Sequence, residues 1–167
     1  FFEENPSIEE IIENMLARTQ ENVLPYLPEL EELGISTVHD AITMASLIEN
    51  EAPTEEDRKK IAGVFYNRLE ADMPLQTDPT VLYALGKHKD RVLNKDLEVD
   101  SPYNTYQVKG LPVGPISNFN KNSLEAALQP EESDYMYFVA NSEGKVYYAE
   151  TYDEHLELKK EHIDSQR

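Results

Sequence analysis

Apolar residues in the first third of the chain recur every three or four positions, which is the spacing of amphipathic helices. Ser7-Ile-Glu-Glu10 is a capping box, so a first helix is predicted to begin there. We expect this helix to break near Pro25 and Pro28, because proline removes a helical hydrogen-bond donor. The residues that close the segment are Leu30, Leu33 and Gly34.

Two more helices are predicted from the same spacing. The second runs from Ser36 or Thr37 to about Asn50, and the third begins at Pro53 with Thr54 as its N-cap. Their apolar faces, which we expect to be buried, consist of Val38, Ala41, Met44, Ala45 and Ile48 in the second helix and Ile61, Ala62, Phe65 and Leu69 in the third.

The helical pattern is interrupted beyond residue 70. Asp78 and Pro79 fit the N-cap and first position of a short helix that ends at Gly86. Residues 93–119 are rich in Pro, Gly, Tyr and Asn, which predicts shaped loops rather than regular structure. Another short helix is predicted to begin at about Ser123.

A hairpin and a last helix are predicted at the C-terminal end. The β-prone runs 135–139 and 145–149 flank Asn141-Ser-Glu-Gly144, which is typical of a hairpin. A charged helix is expected from Tyr152 to about Asp164. Helices followed by loops, a hairpin and a closing helix indicate an α+β fold.

Composition narrows the range of functions. The chain has 167 residues, a net charge of −18 and no cysteine, and its length suits one domain with a sizeable core. The lack of a basic stripe argues against unassisted binding of a nucleic-acid backbone. Without cysteine there are no thiol nucleophiles, disulfides or cysteine-ligated zinc. The four histidines are far apart in the sequence, and neither a metal nor another cofactor is expected.

Two carboxylates end the second helix, in the run Ala45-Ser-Leu-Ile-Glu-Asn-Glu51. The carbonyl end of a helix disfavours negative charge, so Glu49 and Glu51 need an explanation. Either they are surface acids at a frayed helix end, or one is a partly desolvated carboxyl whose raised pKa lets it act as a general acid. Helical geometry does not choose between them, since both lie at the edges of the apolar face.

Three loops carry side chains that suit a neutral polar polymer. Ser101-Pro-Tyr-Asn-Thr-Tyr106 sets aromatic and hydroxyl groups around one amide, a combination that suits sugar rings. Gly110-Leu-Pro-Val-Gly-Pro-Ile116 allows backbone groups to approach a ligand closely. Gln76-Thr77 precedes a helix that does not need those residues for capping. Each loop also has a plainer interpretation, as a packing corner or a connection.

These segments together resemble the MltG/YceG-like family of endolytic murein transglycosylases. The matching pieces recur in the family's order over about residues 41 to 160. They are Ala45–Glu51, Asp57-Arg58, Val64-Phe-Tyr-Asn-Arg-Leu69, Leu75-Gln-Thr-Asp-Pro-Thr80, Ser101–Tyr106, Gly110–Ile116 and Tyr137-Phe-Val-Ala140.

The resemblance implies a single catalytic glutamate, which falls on Glu51, with Ala52 where serine or threonine often follows. Glu49 is the second choice, and Arg58 and Asn67 are supporting candidates. The residues that the resemblance implies for glycan binding are Gln76, Thr77, Asp78, Tyr103, Asn104, Thr105, Leu111 and Pro112.

The resemblance also implies an organisation and a location. Residues 1–35 would form a helical segment that leads into a catalytic domain at 36–167. Because the chain opens at Phe1 without a methionine, we expect a fragment of a longer bacterial protein, anchored in the cell membrane with this part outside the cytoplasm. Its partners would be nascent peptidoglycan strands and cell-wall synthases.

The implied reaction cleaves the β-1,4 bond between N-acetylmuramic acid and N-acetylglucosamine. It forms a 1,6-anhydro end and limits strand length. Two alternatives stay open. One is a lysozyme-like hydrolase, and the other is a non-catalytic glycan-binding or scaffold module of the synthesis machinery.

Overall fold

The computed structural model describes residues 5–31, 34–87, 89 and 91–163. It confirms the α+β class, with helices throughout and a two-stranded antiparallel sheet near the C-terminal end. The elements are α1 (Ile8–Val23), α2 (Leu27–Leu30), α3 (Val38–Glu51), α4 (Glu55–Glu70), α5 (Asp78–Leu85), α6 (Lys121–Leu128), β1 (Tyr137–Ala140), β2 (Val146–Ala149) and α7 (Tyr152–His162).

Some sequence predictions cannot be compared with the structure. Those that fall on Phe1, Leu33, His88 and Asp164 lie outside the described ranges. The proposed division of the chain at residue 36 stays a prediction. Within the described ranges, no helix combines the length and the apolar character needed to cross a bilayer.

Side-chain caps set the starts of the long helices where the sequence predicted them. Ser7 Oγ accepts from the Glu10 N–H at 3.1 Å, and the Glu10 carboxylate accepts from the Ser7 N–H at 2.7 Å, which completes the capping box. Thr37 and Thr54 likewise accept from backbone N–H groups in the first turns of α3 and α4. As predicted, α1 ends close to Pro25, and the 3-10 turn Leu24–Tyr26 connects it to α2. The break predicted at Pro28 is not observed, because Pro28 lies in the first turn of α2, where its missing N–H is not needed.

Two short helices begin earlier than predicted. Thr77 occupies the N-cap position of α5 and Asp78 is its first residue, because the Asp78 carboxylate accepts instead from the Tyr106 hydroxyl at 2.7 Å. α6 begins at Lys121 rather than Ser123, since Asn120 Oδ1 accepts from the Ser123 N–H at 2.9 Å and caps the helix. Gly86 ends α5 in the left-handed conformation, as predicted.

α3 runs through the hydrophobic core. Met44, Leu47 and Ile48 have no solvent exposure and pack with buried residues of α4 and α6. Burying one such side chain stabilises a fold by about 1.5–3 kcal/mol. The helix that carries Glu51 is therefore fixed by its packing, and its end does not fray: the Ala52 N–H donates to the Ile48 carbonyl at 3.0 Å.

The hairpin packs onto the same core. Its register pairs Tyr137 with Ala149 and Ala140 with Val146. Phe138 meets Phe65 of α4 edge to face, with ring centroids 6.1 Å apart. α7 then lies against both strands. The hairpin and α7 are thereby brought beside the C-terminal end of α3.

Glu49 joins α3 to α6. Its carboxylate accepts from the Asn120 N–H at 3.1 Å and from the Ser123 hydroxyl at 2.6 Å, and Arg58 Nε donates to the same hydroxyl at 2.9 Å. Burial alone would raise the pKa of Glu49, but the bonds from Ser123 and Asn120 and the Arg58 charge outweigh it and lower that pKa. The carboxylate also lies at the N-terminus of α6, where negative charge is favoured.

We predict that Glu49→Gln lowers the free energy of unfolding by about 1 kcal/mol at pH 7, because the amide keeps an acceptor but loses the charge. A carboxylate whose pKa is lowered by folding stabilises the fold above its unfolded pKa, and this benefit is lost as the pH falls through its folded pKa. The difference in unfolding free energy between Glu49→Gln and wild type should therefore become smaller below pH 4.5, which is the ordinary pKa of a glutamate. Urea unfolding across this pH range measures it.

Glu70→Gln is the matched control. Glu70 is an exposed carboxylate at the end of α4, without a hydrogen bond or ion pair to any described residue. Its substitution should change stability by no more than about 0.5 kcal/mol. Equal losses in the two variants would contradict the link between α3 and α6.

Candidate active site

A groove of about 400 Å³ opens beside the C-terminal end of α3. This volume lies within the range of small-ligand sites. α3, α4, the start of α5, β1 and α7 all contribute to it. Its lining residues are Glu51, Arg68, Leu75, Gln76, Asp78, Tyr106, Tyr137, Phe138, Val139, Tyr152, His155 and Lys159.

Glu51 is the last residue of α3 and lies in this groove. Burial raises the pKa of its carboxyl to about 8, and the nearby charge of Asp78 acts in the same direction. The end of a helix also disfavours a negative charge. Its carboxyl makes no hydrogen bond within the described part of the chain. A protonated and unengaged acid is therefore presented to the groove at neutral pH.

Asp78 supplies a second carboxylate, held in place by the loop 101–106. The Tyr106 hydroxyl donates to its Oδ1 at 2.7 Å. The preceding residues are fixed to the same loop, because the Gln76 N–H donates to the Thr105 carbonyl and the Thr77 N–H to Thr105 Oγ1, both at 3.0 Å. Gln76 has a φ of 55°, so the chain turns sharply there before α5.

Arg68 holds three parts of the groove together from α4. Its Nε donates to the Met136 carbonyl at 2.7 Å and its Nη1 to the Leu75 carbonyl at 2.9 Å, and its guanidinium lies 5.1 Å from the centre of the Tyr137 ring. Only 8% of the residue is exposed. Burial lowers the pKa of Arg68, but a guanidinium remains charged in proteins.

α7 forms the remaining wall. Tyr152, His155 and Lys159 are three and four residues apart, so they share one face of the helix. The His155 ring stacks on Tyr137, with centroids 5.4 Å apart. Its Nδ1 is buried and has no hydrogen-bond partner in the described structure. Burial, with the charges of Lys159 and Arg68, lowers the pKa of His155 and favours the neutral ring.

The structure brings Glu51, Gln76 and Asp78 together in the groove, whereas other predicted glycan-binding residues are buried and do not line it. Asn104 and Thr105 have no exposed surface. Asn104 Nδ2 donates to the carbonyls of Leu97 and Val99, both at 2.9 Å. Thr77 is buried as well. From these positions Asn104, Thr105 and Thr77 shape the loops rather than face a ligand in the groove.

Tyr103, Leu111 and Pro112, which the resemblance implied for glycan binding, do not line this groove. The Tyr103 ring packs on Tyr83, with centroids 4.7 Å apart. Leu111 packs against the hydrophobic core, and Pro112 is buried. This packing explains why the three side chains do not line the groove. Contact with a glycan elsewhere along the surface stays a prediction.

The predicted supporting residues act at a distance from Glu51. Glu49 and Arg58 meet at the start of α6, as described above. Asn67 Nδ2 donates to the carbonyls of Ser133 and Tyr135, at 2.7 and 2.9 Å, and so fixes the segment that leads into β1. None of these three residues lines the groove.

The sequence interpretation missed the residues that line the groove from α4, β1 and α7. Arg68, Tyr106 and Tyr137 lie inside the motifs that carried the resemblance, which was an available signal. His155 and Lys159 lie in none of those motifs, and only the folding of the hairpin and α7 brings them into the groove with Glu51. Within the described ranges, no three His, Asp or Glu side chains converge as metal ligands would.

Comparison with known proteins places this geometry in a family. The YceG-like family model matches residues 1–161. A Bacillus subtilis protein named endolytic murein transglycosylase is 54% identical over 99% of this chain, and a Streptococcus pneumoniae protein of the same name is 42% identical over 97%. The chain spans 46% and 30% of these two relatives.

A solved structure has the same fold. The crystal structure of a yceG-like protein from Listeria monocytogenes superposes with a TM-score of 0.79 over 95% of this chain and 52% of that one, at 57% identity. The family match, the relatives and the shared fold agree over nearly the whole chain, and we conclude that it belongs to the YceG-like family.

Proposed function

We propose that this chain is the catalytic part of an endolytic murein transglycosylase and that Glu51 is its acid and base. The observation that carries the proposal is the position of the Glu51 carboxyl, which lies in the groove and has no bonded partner among the described residues. Its burial raises its pKa to about 8. The relatives that bear this name are at least twice as long as the stretch matched here. The activity of the whole protein is part of the proposal.

In the first step Glu51 acts as a general acid. It gives its proton to the glycosidic oxygen between N-acetylmuramic acid and N-acetylglucosamine while the bond from that oxygen to C1 breaks. Positive charge then develops on the muramyl ring. Positioned proton transfer of this kind contributes about 10²–10⁴-fold to a rate.

In the second step the same carboxylate acts as a base. It takes the proton from the C6 hydroxyl of the muramyl residue, and O6 closes on C1 to form the 1,6-anhydro ring. Glu51 returns to its protonated form, and no water is consumed. One residue thus serves both steps, which suits a carboxyl whose pKa lies close to neutral pH.

Asp78 has an electrostatic role in this proposal. Its charge helps to keep Glu51 protonated before the reaction and would stabilise the positive muramyl ring as the bond breaks. Tyr106 fixes its orientation. Gln76 is the neighbouring side chain that we expect to bond the sugar, while Thr77, Asn104 and Thr105 hold the loops that carry the site.

The substrate sets the location and the partners. Peptidoglycan lies outside the cytoplasm, so we infer that this part of the protein acts there. We also propose that a membrane anchor elsewhere in the longer protein and an association with cell-wall synthases bring it to nascent strands, which it shortens.

A lysozyme-like hydrolase is the alternative that one observation favours. Hydrolytic glycosidases usually use a pair of carboxylates, and Asp78 stands beside Glu51 in the groove. Product mass separates the two reactions, because a hydrolase leaves a reducing end that is heavier by one water than the anhydro end.

We predict that Glu51→Gln keeps the fold and glycan binding but slows anhydro-product formation by about 10²-fold or more. The variant should also be at least as stable as wild type at pH 7. Between pH 4.5 and 8 the folded wild type holds a proton that the unfolded chain releases, and its stability falls as the pH rises through that window. Mass spectrometry of digested strands and thermal unfolding measure the two effects.

Glu49→Gln is the control for that experiment. It makes the same change two residues earlier, on a carboxylate bonded to Ser123 and Asn120. At a temperature well below unfolding it should release anhydro products at nearly the wild-type rate. A wild-type rate from Glu51→Gln, or an equal loss from both variants, would remove Glu51 from the mechanism.

We predict a pH effect for Asp78→Asn. Activity needs protonated Glu51, so kcat/KM should fall as the pH rises through about 8. Removing the Asp78 charge lowers the pKa of Glu51, and the alkaline limb of the profile should move to lower pH. Asparagine keeps an acceptor for the Tyr106 hydroxyl.

Asp100→Asn serves as the comparison for this profile, because Asp100 is exposed and does not line the groove. The alkaline limb of the kcat/KM profile of Asp100→Asn should coincide with that of wild type. An unmoved limb in Asp78→Asn would show that Asp78 does not set the proton affinity of Glu51.

A further inference from the structure

We infer that Lys159, with Arg68 and His155, forms a subsite for a carboxylate of the stem peptide carried by the muramyl residue. The inference rests on the proposed function, since it takes peptidoglycan as the substrate. It concerns the α7 side of the groove, which the mechanism at Glu51 does not use.

The two cations of this subsite have no acidic partner in the part of the chain that the structure describes. Neither Lys159 nor Arg68 forms an ion pair with a carboxylate among the described residues. In the described hydrogen bonds of Arg68 all acceptors are uncharged. Nε and Nη1 donate to the carbonyls of Met136, Pro74 and Leu75 and to the Gln76 amide oxygen. Both side chains therefore bring to the groove a positive charge that no described carboxylate neutralises by direct contact.

The subsite is continuous with the catalytic residues. Tyr106 bonds Asp78 at the acidic side of the groove and also interacts electrostatically with Arg68. The Tyr137 ring lies against the Arg68 guanidinium at 5.1 Å and stacks on His155 at 5.4 Å. Lys159 stands one helical turn beyond His155 on the same face of α7. A ligand with its reacting sugar at Glu51 would therefore have a neighbouring group beside these cations.

His155 contributes an unused polar atom. Its Nδ1 is buried without a partner in the described structure, and such atoms are rare in folded proteins. The aromatic rings of Tyr137 and Tyr152 flank it, with centroids 5.4 and 6.2 Å away. The ring is thus held between two aromatic rings, and its Nδ1 has a hydrogen-bonding capacity that no described residue uses.

Substrate chemistry explains why cations belong here. The sugar backbone of a glycan strand needs hydroxyl and amide partners but no countercharge. The peptide attached to the lactyl group of the muramyl residue carries carboxylates, which a chain of net charge −18 repels at long range. A local cation pair offsets that repulsion and gives the carboxylate charge-assisted bonds.

The test compares Lys159→Gln with wild type on two substrates. One is uncrosslinked strands with native stems, and the other is the same strands with their stem carboxylates converted to methylamides. On native strands the variant should show a KM raised roughly threefold to fivefold with kcat nearly unchanged, as expected for one exposed ion pair. On amidated strands the two proteins should have the same KM. High salt should shrink the difference on native strands, since it screens exposed charges.

Lys160→Gln is the matched control. It removes the same charge from the adjacent residue of α7, which is exposed and does not line the groove. Its KM should match that of wild type on both substrates. An equal KM for Lys159→Gln and wild type on native strands would overturn the subsite, and so would an equal rise on native and amidated strands.

A third substrate identifies the source of the carboxylate. Strands stripped of peptide by an amidase keep only the carboxylate of the lactyl group. Lys159→Gln should bind them as wild type does, and a rise in KM as large as that on native strands would overturn the assignment to the peptide. Release of anhydro products by wild type reports separately on the proposed function, so the subsite can fail while that function stands.

Discussion

The groove depends on the buried guanidinium of Arg68. Backbone carbonyls from the loop before α5 and from the segment before β1 point at this group, and they would be unsatisfied without it. A charge with this little exposure is tolerated only when it is well bonded, and the carbonyls provide those bonds in place of a carboxylate. Arg68 thereby ties the hairpin to the loop that leads to Asp78. Asp78 in turn helps to raise the pKa of Glu51.

Two carboxylates on α3 acquire opposite properties from their surroundings. Glu49 meets the start of α6, where donors outweigh the cost of burial and lower its pKa. Glu51, two residues later, meets a groove that buries it beside another acid and offers it no described bond. The fold places a stabilising anion and a proton donor on one helix, and only the latter faces the groove. A site of this kind costs stability, because folding forces a proton onto Glu51 near neutral pH.

Local sequence signals predicted much of the fold and part of the site. Ser7, Thr37 and Thr54 act through neighbours three residues away, so the helix starts could be read directly from the chain. Local signals did not predict the burial of Arg68, because that burial depends on loops distant in sequence. Asn104 illustrates a further limit. An amide in a polar loop can face a ligand or bond the loop itself, and only the fold shows that it bonds Leu97 and Val99.

The proposed chemistry requires that Glu51 carries a proton at neutral pH, and titration of its carboxyl measures this property. The side-chain carboxyl carbons of glutamate can be followed by ¹³C NMR as the pH is raised, with the Glu51 signal assigned by its absence in Glu51→Gln. We expect a midpoint of about 8 for this signal. A midpoint near 4.5, the ordinary value for glutamate, would contradict it.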